Sequence, residues 1–275
     1  CKERIMKPVK LLIIALLLFV GTPFSARADV LILIHGYMGS AVSWEASGIN
    51  AILEKNGWHR GGILAGPQLI ATGSGASGNR SYAVELPSLA PMMLQADHLQ
   101  AMLQRINAMH PGEPLIIAAH SAGGIVARAV LARAGVAEVK ALITVASPHL
   151  GTMRAEQALD ATDTPWPFCL VENFFSNGSY RVVKSSRGAL IDLTPAHPGS
   201  LLYWLNAQPH PQITYYSIVT PGPVGLGDEL VPVFSQDMNN VPALQGKSKV
   251  VAVRGGHSLS PEVGIALTGI LAQIE

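Results

Sequence analysis

A chain of 275 residues with 19 Lys and Arg against 18 Asp and Glu is close to neutral, which removes the electrostatic case for nucleic acid as a partner. Apolar residues make up 49% and charged residues 13%, a balance that predicts a well-buried sheet, a lipid-facing surface, or both. The length suffices for one large core, so a second domain is not required.

The N-terminal residues 1–28 read as an export signal. Met6-Lys7-Pro8-Val9-Lys10 is basic, residues 11–20 are wholly apolar, and Ala26-Arg27-Ala28 offers small residues to a signal peptidase. Ten apolar residues are short for a bilayer span, which favours cleavage near Asp29 and a periplasmic or extracellular product. An uncleaved, membrane-associated segment is the alternative. Removal of the signal leaves Cys169 as the single cysteine, so no intrachain disulfide is expected.

Residues 29–275 are expected to form one α/β domain. A strand at residues 30–34 is followed by a helix over 41–56, stopped by Gly57. The glycine-rich stretch 61–78 reads as a loop around a short strand at 63–64, and 82–86 as a strand or an extended segment at the site. Helical periodicity over 95–109 ends at Pro111-Gly112. A strand starting at Leu115 runs into Ser121, a helix covers 122–134, and a strand covers 141–145. Strands at 213–219 and 249–253 and a closing helix over about 261–271 complete the alternation. Strands separated by helices predict a largely parallel sheet covered on both faces.

The interval 152–198 breaks that pattern. Trp166, Phe168, Leu170, Phe174 and Phe175 lie there among prolines and polar residues. It reads either as a small lid or pocket wall over the site, or as a hydrophobic cluster packed beneath a long loop.

The chemistry starts at Leu-Ile-Ile-Ala-Ala-His-Ser-Ala-Gly-Gly, residues 115–124. A buried strand passes into a helix with nothing between, so the turn falls at Ser121 and exposes its hydroxyl beside a helix N-terminus. Serine is a weak nucleophile without a base. His257, in Gly255-Gly256-His257-Ser258 after the last strand, is the expected base, with glycines leaving room for the imidazole. Asp228, beyond the strand at 213–219, is the expected acid that orients it, with Glu229 and Asp237 as near competitors and Asp192 as a distant one. The oxyanion donors are expected to be the backbone N–H groups of Ala122 and Tyr37, the latter in His35-Gly36-Tyr37-Met38-Gly39 after the first strand. His35 is expected to hold that loop, and His120 to support strand or helix packing.

Together His-Gly-Tyr-Met-Gly, Ala-His-Ser-Ala-Gly-Gly, Val-Ala-Ser-Pro-His-Leu-Gly-Thr, Gly-Asp-Glu-Leu-Val-Pro and Gly-Gly-His-Ser resemble the bacterial lipase and esterase branch of the α/β-hydrolase family. Ala119 departs from the family's usual Gly-x-Ser-x-Gly by replacing its first glycine. The resemblance implies an α/β-hydrolase fold, a Ser121-Asp228-His257 triad, a covalent acyl-enzyme hydrolysed by water, and no required redox or nucleotide cofactor. It places His149 in a pocket-lining or loop-supporting role. Some related lipases carry structural calcium; Asp228, Glu229 and Asp237 offer oxygens, but no acidic spacing specifies a cage, and calcium stays unassigned. The expected substrate is a lipid or other hydrophobic acyl ester, with transient contact to a lipid interface. A thioesterase, amidase or acyltransferase could use the same three residues, and a non-catalytic ligand-binding domain could keep the fold.

Overall fold

The strand segments alternate which face of the sheet their side chains enter, and the two faces collect different helices. The computed structural model describes residues 28–73, 77–136, 138–163 and 179–274. All but the last residue of the segment expected to be an export signal (1–28), and the aromatic residues Trp166, Phe168, Phe174 and Phe175, with Cys169 and Leu170, lie outside the described residues.

Eight strands form one sheet: β1 (Val30–Ile34), β2 (His59–Ala65), β3 (Gln68–Ile70), β4 (Arg80–Glu85), β5 (Leu115–His120), β6 (Val139–Val145), β7 (Thr214–Val219) and β8 (Ser248–Ala252). Their order is β3-β2-β4-β1-β5-β6-β7-β8. Every pairing is parallel except β2 with β3. The central strands β1 and β5 are continuous apolar runs, as expected where helices cover both faces.

Helices α1 (Ser43–Ala46), α2 (Ile49–Lys55), α3 (Met92–Met109) and α4 (Ala122–Ala134) come first in the chain. They are followed by α5 (Met153–Ala161), α6 (Ser179–Ser185), α7 (Arg187–Leu193), α8 (Leu201–Ala207), α9 (Val233–Gln236) and α10 (Pro261–Ile274). On one face, Ile32, Ile34, Ile117 and Ala119 pack with Leu99 and Leu103 of α3 and Ile125 and Val126 of α4. On the other, Leu31, Leu33, Ile116 and Ala118 pack with Trp44, Leu53 and the α10 residues Val263 and Leu267. Ordinary i, i+2 alternation within β1 and β5 therefore builds two cores from one sheet.

Three expectations need correction. The helix expected over 41–56 is two helices, because Gly48 takes φ +79° and breaks the first turn sequence. The short strand expected at 63–64 is the seven-residue β2, and it turns through Gly66 (φ +56°) into the antiparallel β3. Within 152–198 the described parts are helices α5, α6 and α7, with α8 beyond; the sequence pattern had marked none of the four.

Candidate active site

Ser121 lies between β5 and α4 with no intervening loop. Its φ of 53° and ψ of −128° are a conformation that non-glycine residues hold only when their surroundings enforce it, at about 1–3 kcal/mol. The enforcement is visible. The Ser121 N–H donates to Val145 O at 2.8 Å and the Gly124 N–H to Ser121 O at 3.0 Å, so the turn is pinned to β6 on one side and to its own helix on the other. The close neighbours have no space for side chains. A Cβ on Gly123 would lie 2.4 Å from His35 O, one on Gly124 2.3 Å from Ser147 Oγ, and one on Gly36 2.7 Å from Ser121 Cβ. Ala119, which stands where the resembled pattern has glycine, points its methyl into the core beneath β5 and is fully buried there.

His257 follows β8 and reaches the serine. Its Nε2 lies 2.8 Å from Ser121 Oγ, and its Nδ1 lies 3.0 Å from Asp228 Oδ2. An ionised carboxylate on Nδ1 fixes that nitrogen as the proton donor, which leaves the Nε2 lone pair to accept the serine O–H. The Asp228 side chain has no exposed surface. Burial pushes its carboxyl up, but hydrogen bonding to His257, the imidazole's charge, and donation from Thr220 and the Val231 N–H outweigh that, and the group is held below its usual range. Its acceptor capacity is filled. Oδ2 also receives Thr220 Oγ1 at 2.7 Å and Gln236 Nε2 at 3.1 Å, and Oδ1 receives the N–H groups of Leu230 and Val231 at 2.9 and 2.7 Å.

The competing carboxylates have other partners. Glu229 turns both oxygens to the main-chain N–H of His257, at 3.0 and 3.1 Å. Asp237 accepts from the Asn239 N–H and starts a short 3₁₀ turn. Asp192 accepts from the Met92 N–H and caps α3 from outside. Among the described residues no three His, Cys, Asp or Glu side chains converge as a metal-type cluster, so Asp228, Glu229 and Asp237 form no cage.

Tyr37 and Ala122 flank the serine from two elements. Ala122 opens α4, where the first backbone N–H groups have no intrahelical acceptor. Tyr37 follows Gly36, whose missing side chain would otherwise lie 3.3 Å from Ser121 Oγ. His35 holds this loop: its Nδ1 donates to Gly36 O and its Nε2 accepts from the Leu86 N–H, both at 3.0 Å. Burial lowers its pKa, which keeps the ring neutral and able to do both. The Tyr37 phenol lies 2.6 Å from Ser186 Oγ, where α6 meets α7.

Two further histidines make other contacts. His120, expected to support strand or helix packing, instead reaches the loop of His257 and lies 2.8 Å from its carbonyl through Nε2. Burial, reinforced by the neighbouring His257, lowers its pKa to about 4. His149 is fully buried, 3.1 Å from Thr144 Oγ1 through Nε2 and 3.4 Å from Arg128 through Nδ1, and its carbonyl accepts from Asn206. It braces the loop after β6, as the motif resemblance implied.

Arg128, in the middle of α4, has no exposed surface, and among the described residues no carboxylate pairs with it. Nε donates to His210 Nε2 at 3.2 Å and a terminal nitrogen to Asn206 Oδ1 at 2.9 Å. Burial lowers its pKa to about 9, so it stays cationic at neutral pH while both histidines stay neutral acceptors. Sequence reasoning missed this cluster, and it missed Thr220 and Gln236 behind Asp228. Their residue types carry no spacing signal.

A family model described as the alpha/beta hydrolase fold matches residues 29–168. The chain belongs to the alpha/beta hydrolase fold family. The mature lipase BlEst2 of Bacillus licheniformis superposes with a TM-score of 0.62 at 16% identity, covering 93% of this chain and 95% of that one. A putative cell surface hydrolase from Lactobacillus plantarum gives 0.54 at 14% identity, covering 90% and 92%. A structure from a study of carboxylesterases of the thaumarchaeon Nitrososphaera gargenis gives 0.54 at 18% identity, covering 91% and 92%. At these identities the likeness is one of fold. No curated protein sequence gives a significant match.

Proposed function

We propose that this alpha/beta hydrolase is an exported serine hydrolase of carboxylic esters with hydrophobic acyl groups, working through Ser121, His257 and Asp228. The observation that carries the proposal is the hydrogen-bonded line from Ser121 Oγ through both nitrogens of His257 to Asp228, at 2.8 and 3.0 Å, on a strained turn.

In the proposed reaction, Ser121 Oγ bonds to the ester carbonyl carbon as its proton passes to His257 Nε2. Asp228 stabilises the resulting imidazolium. The carbonyl oxygen becomes an anion and is received by the N–H groups of Tyr37 and Ala122. The tetrahedral species then breaks its bond to the leaving oxygen, which takes the proton from Nε2 and departs as the alcohol. Water next attacks the acyl-enzyme, giving its proton to His257; collapse returns a proton to Ser121 and releases the acid.

An apolar acyl group is supported by side chains on the loops that carry the site. Val224, Leu226 and Leu230 flank Asp228, Phe234 lies on α9 just beyond, and Met38 follows Tyr37; all are exposed. Isolated exposed apolar residues are ordinary, but here five of them belong to the chain segments that carry Tyr37 and Asp228.

The test is labelling by a fluorophosphonate, followed by peptide mapping and by turnover of matched esters, thioesters and amides of short and long chain. Labelling at Ser121 and preference for long-chain esters are expected. Dominant thioester or amide turnover would move the substrate class while leaving the mechanism standing. A folded protein that is not labelled, and whose Ser121→Ala variant binds ligand unchanged, would be a binding domain. N-terminal sequencing of the exported product checks for a start near Asp29.

A further inference from the structure

His257 is delivered by a loop, Gly255-Gly256-His257, that follows the edge strand β8. The bond from Nδ1 to Asp228 orients the ring, but one bond to a ring does not hold the backbone that carries it. A backbone shift of a fraction of an ångström would lengthen the 2.8 Å contact to Ser121, and reacting groups tolerate little such error.

The main chain of His257 is held at both of its polar groups. Its N–H donates to the Glu229 carboxylate, with both oxygens at 3.0–3.1 Å. Its carbonyl lies 2.8 Å from His120 Nε2. The four contacts come from two dipeptides. His120-Ser121 supplies one contact to the backbone of His257 and one to its ring, and Asp228-Glu229 does the same from the opposite side. We infer that Glu229 and His120 are positioning residues that clamp the main chain of His257 and so set the reach of Nε2 to Ser121; this rests on the proposed triad.

Three details fit the clamp. His120 is neutral down to about pH 4, so one nitrogen keeps its proton for the carbonyl without placing a second cation beside the imidazolium that forms in catalysis. The Glu229 backbone is itself held, its carbonyl accepting from Arg154 Nε at 3.0 Å. Gly256 has no side chain where one would collide with the clamp: a Cβ there would lie 2.8 Å from Glu229 Oε2. Its φ is not in the left-handed region, so the backbone itself accepts alanine. The second glycine of Gly-Gly-His thus leaves space for the Glu229 carboxylate.

The test is a series in the full protein: Glu229→Ala, Glu229→Gln, His120→Ala, His120→Gln and Gly256→Ala, beside Ser121→Ala and Asp228→Asn. Each is measured for kcat, KM, thermal midpoint and the downfield Nδ1 proton resonance of His257. Loss of either clamp bond is expected to lower kcat about tenfold with KM nearly unchanged and to broaden or shift the Nδ1 resonance. Glutamine restores an acceptor at 229 and a donor at 120, so both glutamine variants should recover most of the loss. Gly256→Ala should reproduce Glu229→Ala, and combining the two should add little, because both remove the same bond. Unchanged kcat and unchanged resonance in Glu229→Ala and His120→Ala, with Ser121→Ala inactive, would overturn the clamp alone. An active Ser121→Ala variant would instead overturn the triad. If Glu229→Gln falls as far as Ser121→Ala while Asp228→Asn keeps turnover, Glu229 is the acid and not part of a clamp.

Discussion

Gly36→Ala adds one methyl group at the point where the loop after β1 meets Ser121, the proposed nucleophile. The new Cβ would lie 2.7 Å from Ser121 Cβ, 3.1 Å from His120 O and 3.3 Å from Ser121 Oγ. Carbon atoms in good contact are about 3.5–4.0 Å apart, so the loop and the serine must separate by roughly 0.8 Å or more. Overpacking of this kind costs about 1–3 kcal/mol, offset by about 0.4–1 kcal/mol from the stiffer unfolded chain, since the Gly36 backbone is not left-handed. The net stability loss is therefore at most about 2.6 kcal/mol. Catalysis should suffer more. A displacement near 1 Å at reacting groups costs on the order of 100-fold in rate, about 2.7 kcal/mol of barrier, and the same shift moves the Tyr37 N–H away from the oxyanion. We expect kcat/KM on a chromogenic ester and the rate of fluorophosphonate labelling to fall together by about two orders of magnitude in a protein that remains folded. Gly269→Ala is the control: it lies inside α10, its Cβ would meet nothing within 4 Å, and it should be slightly stabilising with normal turnover. If Gly36→Ala keeps turnover and labelling within a few-fold of wild type, Gly36 is not what sets the distance between the oxyanion loop and Ser121.

Asp228→Asn should reduce kcat by about 10³–10⁴-fold, because an amide cannot both accept from Nδ1 and stabilise the imidazolium; Asp237→Asn should leave kcat unchanged, and the reverse pattern would move the acid. Acid should destabilise the fold well before its carboxylates titrate. His120 and His210 have pKa values lowered to about 4, and His35 and His149 are also lowered, in each case chiefly by burial. Unfolded histidine titrates near 6.5, so this stability is complete above about pH 6.5 and is lost as pH falls toward 4, by up to about 3 kcal/mol for each group near 4. Urea midpoints measured between pH 7.5 and 4 check it, and a flat profile would refute it. Arg128→Ala should destabilise by about 1–3 kcal/mol for each buried acceptor it strands, on His210 and Asn206, and further through the cavity it opens; a urea midpoint within experimental scatter of wild type would show that the cluster relaxes freely.

Much of the molecule was legible because its signals are local. The runs in β1 and β5 need only covering on both faces to become central strands, and the abrupt change at Ser121 leaves the chain one place to turn. Ser121, Asp228 and His257 each follow a strand, so a parallel sheet delivers them to one edge. Local pattern could not decide where partners come from distant segments. The break at Gly48 depends on a backbone rotation that a helical spacing does not register. Asp228 and Glu229 are adjacent and chemically alike; one meets the ring of His257 and the other its backbone only because Thr220, Gln236, Leu230 and Val231 turn Asp228 inward. Arg128 looks like a solvent-facing helix residue until His149 from one part of the chain and Asn206 and His210 from another surround it. Sequence alone marked Ser121, Asp228 and His257 as candidates and the strand ends that hold them, because hydrophobic period and turn propensity act over a few residues. Tertiary structure decided which polar atoms meet, because a buried donor or acceptor must find a partner wherever the fold supplies one.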